Sequence, residues 1–219
     1  MEKIACSWSG GKDSCFALMQ EIKKGSELQV LVNMMNENGM ISRSHGLPLY
    51  LLQEQAESMN VPLIAIPTSW NDYEFNFTNT LLEIKNRFAV NAMVFGDIDL
   101  QAHRDWEEKV CSNAGLSASL PLWKQDRKQL VRDMLQAGIE TIIVSCNNIM
   151  GEDFLGQVIN ESLILKLENL SVDVCGENGE FHTLVIDCPL FSKKIQLPGT
   201  YKIKHDDYWF LQWHTGSNG

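Results

Sequence analysis

From Ile4 to Ala114 the sequence repeats one arrangement: a short apolar run, a polar or glycine-bearing break, then a longer segment with apolar residues every three or four positions. The runs Ile4–Trp8, Leu28–Met34, Val61–Ile66 and Ala92–Phe95 read as strands, the third bracketed by Pro62 and Pro67. Between and after them, Asp13–Lys24 (ended by Gly25), Leu47–Met59, Asp72–Phe88 and Leu100–Ala114 have helical spacing. Strands that alternate with helices predict an α/β fold with an open, mostly parallel sheet and helices on both faces, because parallel neighbours need a crossover.

After Pro121 the pattern changes. A helix is expected over Arg127–Ala137, a β-rich run over Glu140–Cys146 and a helix over Asp153–Leu167. Strand-like Thr183–Asp187, Lys194–Gln196 and Tyr208–Trp213 follow. This predicts a smaller C-terminal α+β portion, with domains 1–120 and 121–219 and a small, polar, frayed tail at His214–Gly219.

The 219 residues carry 28 Asp+Glu against 18 Lys+Arg, a formal charge of −10, which argues against a general surface for nucleic acid or anionic lipid. None of the six cysteines, at 6, 15, 111, 146, 175 and 188, forms a CxxC or zinc-type spacing. They read as reduced thiols. No signal peptide follows Met1, and no apolar stretch reaches membrane-spanning length. The expectation is a soluble cytoplasmic protein with no membrane partner.

Ser9-Gly10-Gly11-Lys12-Asp13-Ser14 lies between the first strand and the first helix. There, glycines let backbone N–H groups approach an anion, the helix N-terminus adds partial positive charge, and Lys12 brings an ammonium. Ser9 and Ser14 add hydroxyls. The spacing is neither GxxxxGK[ST] nor GxGxxG. A plain strand-to-helix turn, with Ser9 as N-cap and Asp13 in the first turn, accounts for those two residues but not for two glycines followed by lysine. Beside a polyphosphate, Asp13 requires Mg²⁺ or Lys12 between the like charges, which makes it the candidate metal ligand.

These six residues resemble the pyrophosphate loop of the N-type ATP pyrophosphatases, whose fold is that of the adenine nucleotide alpha hydrolases. Further residues narrow the likeness: His45-Gly46, Gln55-Ala56-Glu57, Gly96-Asp97-Ile98 with Arg104, Glu108 and Cys111, Pro121-Leu122-Trp123, Cys175-Gly176-Glu177-Asn178-Gly179-Glu180-Phe181 with Thr183, and Cys188-Pro189-Leu190-Phe191. Together, over residues 3–191, they resemble the diphthine-ammonia ligase family. The resemblance implies that ATP adenylates a carboxylate, releasing pyrophosphate, and that ammonia then displaces AMP to leave an amide. It places Ser9, Gly10, Gly11, Lys12, Asp13, Ser14, Asn33, His45 and Gly96 at ATP, and Asp97, Arg104, Glu108, Trp123 and Asn178 on the substrate side. Lys12, Asp13, Glu177, Glu180 and His182 are the catalytic candidates. His182 stands where the family carries an acidic residue, and Ile41–His45 differs from the family's pattern. Both departures imply a sister branch that shares the adenylation step with its carboxylate left open.

The residues also admit readings of their own. Gly176 and Gly179 bracket Glu177 in a segment too glycine-rich for a helix, so Glu177 and Glu180 are either an acidic hairpin turn or a pair that holds Mg²⁺, orients ammonium or accepts its proton. His182 beside them is a second base. Asp97 is either a ligand group at the carboxyl end of the fourth strand or the N-cap of the next helix. Arg104 and Glu108, four apart, also read as a surface ion pair, and Trp123 as a core aromatic. Three functions follow: an ATP-dependent carboxylate–ammonia ligase, a tRNA-modifying relative of the same loop, and an ATP-binding protein without turnover. The first is preferred, with ATP, Mg²⁺, ammonium and a carboxylate as partners.

Overall fold

A computed structural model describes residues 1–214; of the tail His214–Gly219, all but His214 lies outside the described residues. The chain divides into two compact units, Met1–Gln125 and Asp126–Gly219.

In the first unit, β1 (Lys3–Ser7), β2 (Glu27–Met35), β3 (Leu63–Pro67), β4 (Ala92–Val94) and β5 (Ser117–Ser119) form a parallel sheet in the order β3-β2-β1-β4-β5. Helices α1 (Lys12–Lys23), α2 (Leu49–Ser58), α3 (Tyr73–Phe88) and α4 (Gln101–Ala114) connect successive strands. Side chains alternate across the sheet. Ala5, Val30, Val32, Met34 and Met93 pack with Phe77, Leu81 and Ile84 of α3 and Val110, Cys111 and Ala114 of α4. Cys6, pointing the other way, donates its thiol to the Ser14 carbonyl of α1 at 3.9 Å. Trp8, just past β1, donates to Gln55 of α2 at 2.8 Å. Each such buried aliphatic or aromatic side chain contributes about 1.5–3 kcal/mol, which is why the alternation dictates the layers.

The order of strands reverses between β1 and β4. Connections leaving those two strands diverge and open a crevice at their carboxyl ends, the place where such sheets take ligands. β5, Ser-Ala-Ser, carries no strand signal in the sequence and exists through its pairing with β4. The unit also extends past residue 120: Leu122 is fully buried, and the Lys124 N–H donates to the Ile98 carbonyl at 2.7 Å.

The second unit holds α5 (Arg127–Gln136), β6 (Glu140–Asn147), α6 (Glu161–Asn169), β7 (Phe181–Asp187), β8 (Thr200–His205) and β9 (Tyr208–Trp213). Its sheet is antiparallel, in the order β7-β6-β9-β8. Two expectations are corrected here. The helix expected over Asp153–Leu167 is a single 3₁₀ turn, Glu152–Phe154, then extended chain in which Val158 bridges Ile142; α6 begins only at Glu161. Gly156 at φ +79° breaks the earlier turn, and the Asn160 side chain caps α6 by accepting from the Leu163 N–H at 2.9 Å. Lys194–Gln196 is not a strand; the Ile195 N–H makes one bond, to the Ile186 carbonyl at 2.8 Å.

Candidate functional site

The chain leaves β1 through Trp8 and turns on Gly10, whose φ is +84°. A Cβ there would stand 2.7 Å from Leu47 Cδ1, 2.8 Å from Leu52 Cδ2 and 3.0 Å from Gln55 Oε1, so both conformation and space require glycine. Gln55 is fully buried; it receives the Trp8 indole N–H and donates Nε2 to the Gly10 carbonyl at 3.1 Å. It thus ties α2 to the loop. Gln55 appeared in the sequence only as one member of a series, and a buried amide within the leucine face of α2 is the signal that marks it.

Gly11, not Ser9, is the N-cap of α1, and no side chain caps the helix. The Ser9 hydroxyl instead receives the Gly11 N–H at 3.2 Å and lies 3.0 Å from the Ser14 hydroxyl, which itself reaches the Gly11 carbonyl at 3.2 Å. The N–H groups of a first helical turn have no partner within the helix, so they form a cradle for an anion at the crevice. Lys12, almost fully buried, donates Nζ to both Asp13 carboxylate oxygens, at 3.0 and 2.8 Å. The loop therefore carries its cation and anion as a neutral pair, which a polyphosphate and a metal ion would divide between them.

Beside the loop, Ser7, Trp8, Ser9, Val32, Asn33, Met34, Arg43, Ser44, Trp70 and Tyr73 line an open pocket. Asn33 is buried and donates Nδ2 to the Trp8 carbonyl at 2.7 Å, while its Oδ1 has no partner among the described residues. A ligand amine is the natural donor for that oxygen, so the pocket fits a nucleobase next to the phosphate cradle. Arg43 donates to the Thr68 carbonyl and lies 4.6 Å over the ring of Trp70, an exposed side chain stacked 5.6 Å from Tyr73. Arg43 and Trp70 were not singled out from the sequence. His45, half-buried, sits in the adjoining turn before α2.

At the end of β4, Gly96 abuts the loop from the other side: a Cβ there would be 2.7 Å from the Ser14 nitrogen and 2.8 Å from the Asp13 carbonyl carbon. Asp97 does not cap α4, whose N-cap is Leu100. Its Oδ1 lies 2.7 Å from His103 Nδ1, and its carboxyl is hydrogen-bonded to Glu107. Burial acts to raise the Asp97 carboxyl, but the bonds from His103 and Glu107 and the His103 charge together hold it below the usual range. Glu107 is 4% exposed; burial first, then the Asp97 charge, pushes it up to about 10, so it is a neutral acid at physiological pH. Its Oε2 has no partner among the described residues. Burial, opposed by Arg43, likewise pushes the neighbouring Tyr73 phenol up to about 12. Sequence reading passed over Glu107 in favour of Glu108, although Glu107 shares the face of Val110, Cys111 and Ala114. The exposed Glu108 pairs with Arg104 at 2.7 Å, and Arg104 lies 5.0 Å over Trp123, so the structure brings those three together.

In the second unit, residues 173–180 form a self-supporting turn. Gly176 and Gly179 have φ of +74° and +83°. The Asp173 carboxylate receives the N–H of Cys175 at 3.1 Å and of Glu177 at 3.3 Å, and it pairs with Arg127. The Glu180 carboxylate receives the N–H of Asp173 at 3.2 Å, that of Asn178 at 3.1 Å and the Asn178 amide at 3.1 Å. Glu177 is half-buried, and His182 lies opposite Ser145 in the β6–β7 ladder. Among the described residues, no three His, Cys, Asp or Glu side chains gather as a metal site. All six cysteines are free and buried, and no helix of the described residues is long and apolar enough to cross a membrane.

Comparison with known proteins adds the following. A family model described as the diphthamide synthase N-terminal domain matches residues 2–118, and one described as the diphthamide synthase C-terminal domain matches residues 126–217. A protein of Danio rerio named diphthine–ammonia ligase is 29% identical over 91% of this chain and 88% of its own length. Its namesake in Mus musculus is 28% identical over 93% of this chain and 85% of its own. In Schizosaccharomyces pombe the identity is 30% over 90% of this chain, which there spans 36% of the longer relative.

Proposed function

The chain belongs to the diphthamide synthase family, and on that premise we propose that it is an ATP-dependent amide-forming ligase that adenylates a carboxylate, releasing pyrophosphate, and then joins ammonia to it, releasing AMP. The observation that carries this reading is the Gly10–Ser14 loop at the sheet's reversal point, with an uncapped helix N-terminus on one side and a pocket holding the unpartnered Asn33 Oδ1 on the other. In this reading the phosphates lie on the N–H groups of α1. Lys12 turns from Asp13 to their oxygens, Asp13 is released toward Mg²⁺, and Asn33 accepts from the adenine amine. Asp13 would hold the magnesium ion, which would supply charge neutralisation to the phosphates.

Glu177, Glu180, His182 and Asn178 are assigned to the carboxylate substrate, with Glu180 holding the turn that presents Glu177. Diphthine is the first carboxylate to test, because the family's named ligases act on it. Purified protein with Mg·ATP, ammonium and diphthine-bearing elongation factor two is expected to release AMP and pyrophosphate in equal amounts. Release of ADP and phosphate instead overturns the adenylation reading.

A further inference from the structure

We propose that Asp97 and Glu107 form the site that takes up ammonium and delivers it as ammonia. The proposal rests on the ligase reading above, and it locates the second substrate of that reaction within the first unit.

Glu107 occupies the face of α4 that buries Val110, Cys111 and Ala114, where an apolar residue would pack without the cost of desolvating a carboxyl. It is 4% exposed and its carboxyl is bonded to Asp97, yet its Oε2 has no partner among the described residues. A buried acceptor left open in this way calls for a donor that arrives with a ligand. Asp97 supplies the second carboxyl, oriented by His103 at 2.7 Å. The pair is also in the right place. Asp97 follows Gly96, where an added Cβ would stand 2.7 Å from the Ser14 nitrogen, and both carboxyls act on Tyr73 of the pocket beside the loop, so the pair borders the proposed nucleotide site. Lys12, the cation of the loop, is engaged with Asp13.

Ammonium matches the pair in charge and hydrogen bonding. It is a small cation with four N–H donors and no acceptor, and two carboxylates offer acceptors only. The protons balance. Ammonium enters as the proton shared by the pair leaves to solvent, so the cation lies between two carboxylates, one of which is also bonded to His103. Glu107 then takes a proton back from the nitrogen, and ammonia departs with its lone pair free. Its nitrogen forms the C–N bond at the adenylate carbonyl carbon, the C–O bond breaks with its electrons on AMP, and the surplus proton on nitrogen passes to solvent.

Glu107→Gln separates this role from a structural one. Glutamine is the neutral isostere of the protonated acid: it keeps the shape and a donor for Asp97, but it neither balances a cation nor accepts a proton. With diphthine-bearing elongation factor two and saturating Mg·ATP, the variant is expected to raise KM for ammonium by about tenfold or more, with KM for ATP held within about twofold. Wild-type crystals soaked in a thallium(I) salt, the ion used as a probe for ammonium, are expected to show anomalous density within about 3 Å of both carboxyls, the reach of an N–H···O contact. Density should be missing in the variant. An unchanged KM for ammonium, or no thallium at the pair, overturns the proposal. Absence of ATP–pyrophosphate exchange in the wild-type protein overturns the ligase reading instead, and the thallium map then decides the cation site by itself.

Discussion

At the scale of single residues, the turn at Gly10–Lys12 was legible because glycine and lysine have few reasons to adjoin between a strand and a helix, whereas the reason for Gly96 was not, since it lies in a neighbour 82 positions earlier along the chain, Ser14. Gly96→Ala puts a methyl group 2.7 Å from the Ser14 nitrogen and 2.8 Å from the Asp13 carbonyl carbon, both backbone atoms that no rotamer change relieves. We expect a loss of about 1–3 kcal/mol in stability and about tenfold or more in Mg·ATP affinity, measured by thermal unfolding and calorimetry. Gly46→Ala is the control: φ is +67° but nothing lies within 4 Å of the added methyl, so only backbone strain of about 1 kcal/mol applies. Glu107 makes a prediction of a different kind. Its carboxyl titrates near 10 in the folded chain against an ordinary 4.5, so between those pH values the folded state holds a proton that the unfolded state has released. Stability from this group is full below the lower value and falls as pH rises toward the upper one. The stability difference between wild type and Glu107→Gln should therefore shift in favour of the variant between pH 6 and pH 9. A difference constant across that range contradicts a neutral Glu107. The sequence concealed this residue because the exposed Glu108 next to it completes a common i, i+4 pair with Arg104.

At the scale of elements, periodicity located every helix of the first unit because each buries one face against the sheet, and it failed where a segment owes its form to partners. Phe154, Leu155 and Ile159 are buried at spacings that imitate a helix, yet Gly156 and the Asn160 cap place the helix after them. β8 escaped notice because all six of its residues are exposed on a sheet edge, so no alternation of burial marks it. The glycine turn shows the same dependence on partners. Its two carboxylates read alike in sequence, but Glu180 is spent on three donors of its own turn, whereas the donors around Asp173, the cysteine and glutamate N–H groups and Arg127, lie in a residue that no motif marked. Glu180→Ala leaves those three N–H donors without their acceptor. It is expected to cost about 1–3 kcal/mol by denaturant unfolding. Turnover should fall by more than ATP affinity, because the pocket proposed for the nucleotide draws its lining from residues 7–73. An equal loss of both would assign Glu180 to the nucleotide.

At the scale of the whole molecule, the charge of −10 repels polyphosphate in general, and the chain resolves the conflict locally. The loop offers backbone N–H groups, a buried lysine and a helix N-terminus within six residues, while the acidic excess lies elsewhere, part of it in the Asp97–Glu107 pair suited to a cation. Every group assigned to the nucleotide belongs to the unit Met1–Gln125, as do the Trp8–Gln55–Gly10 bonds that hold the loop. Residues 1–125 expressed alone are therefore expected to fold, to bind Mg·ATP with an affinity within about tenfold of the full chain, and to release no pyrophosphate. The exact end of such a fragment matters, and it was the part of the domain organisation that composition concealed. Pro121 marks a change of pattern, but Leu122 behind it is fully buried, and the Lys124 N–H closes on the Ile98 carbonyl at 2.7 Å. A fragment ending at residue 120 discards that leucine, whose burial is worth about 2–5 kcal/mol with the cavity its loss leaves. It should unfold well below the 1–125 fragment in a thermal scan, by roughly 8–20 °C at about 4 °C per kcal/mol for a chain of this order. Equal melting of the two fragments would mean that Leu122 adds nothing to the first unit, and failure of the longer one to bind Mg·ATP would mean that the nucleotide site is incomplete within it.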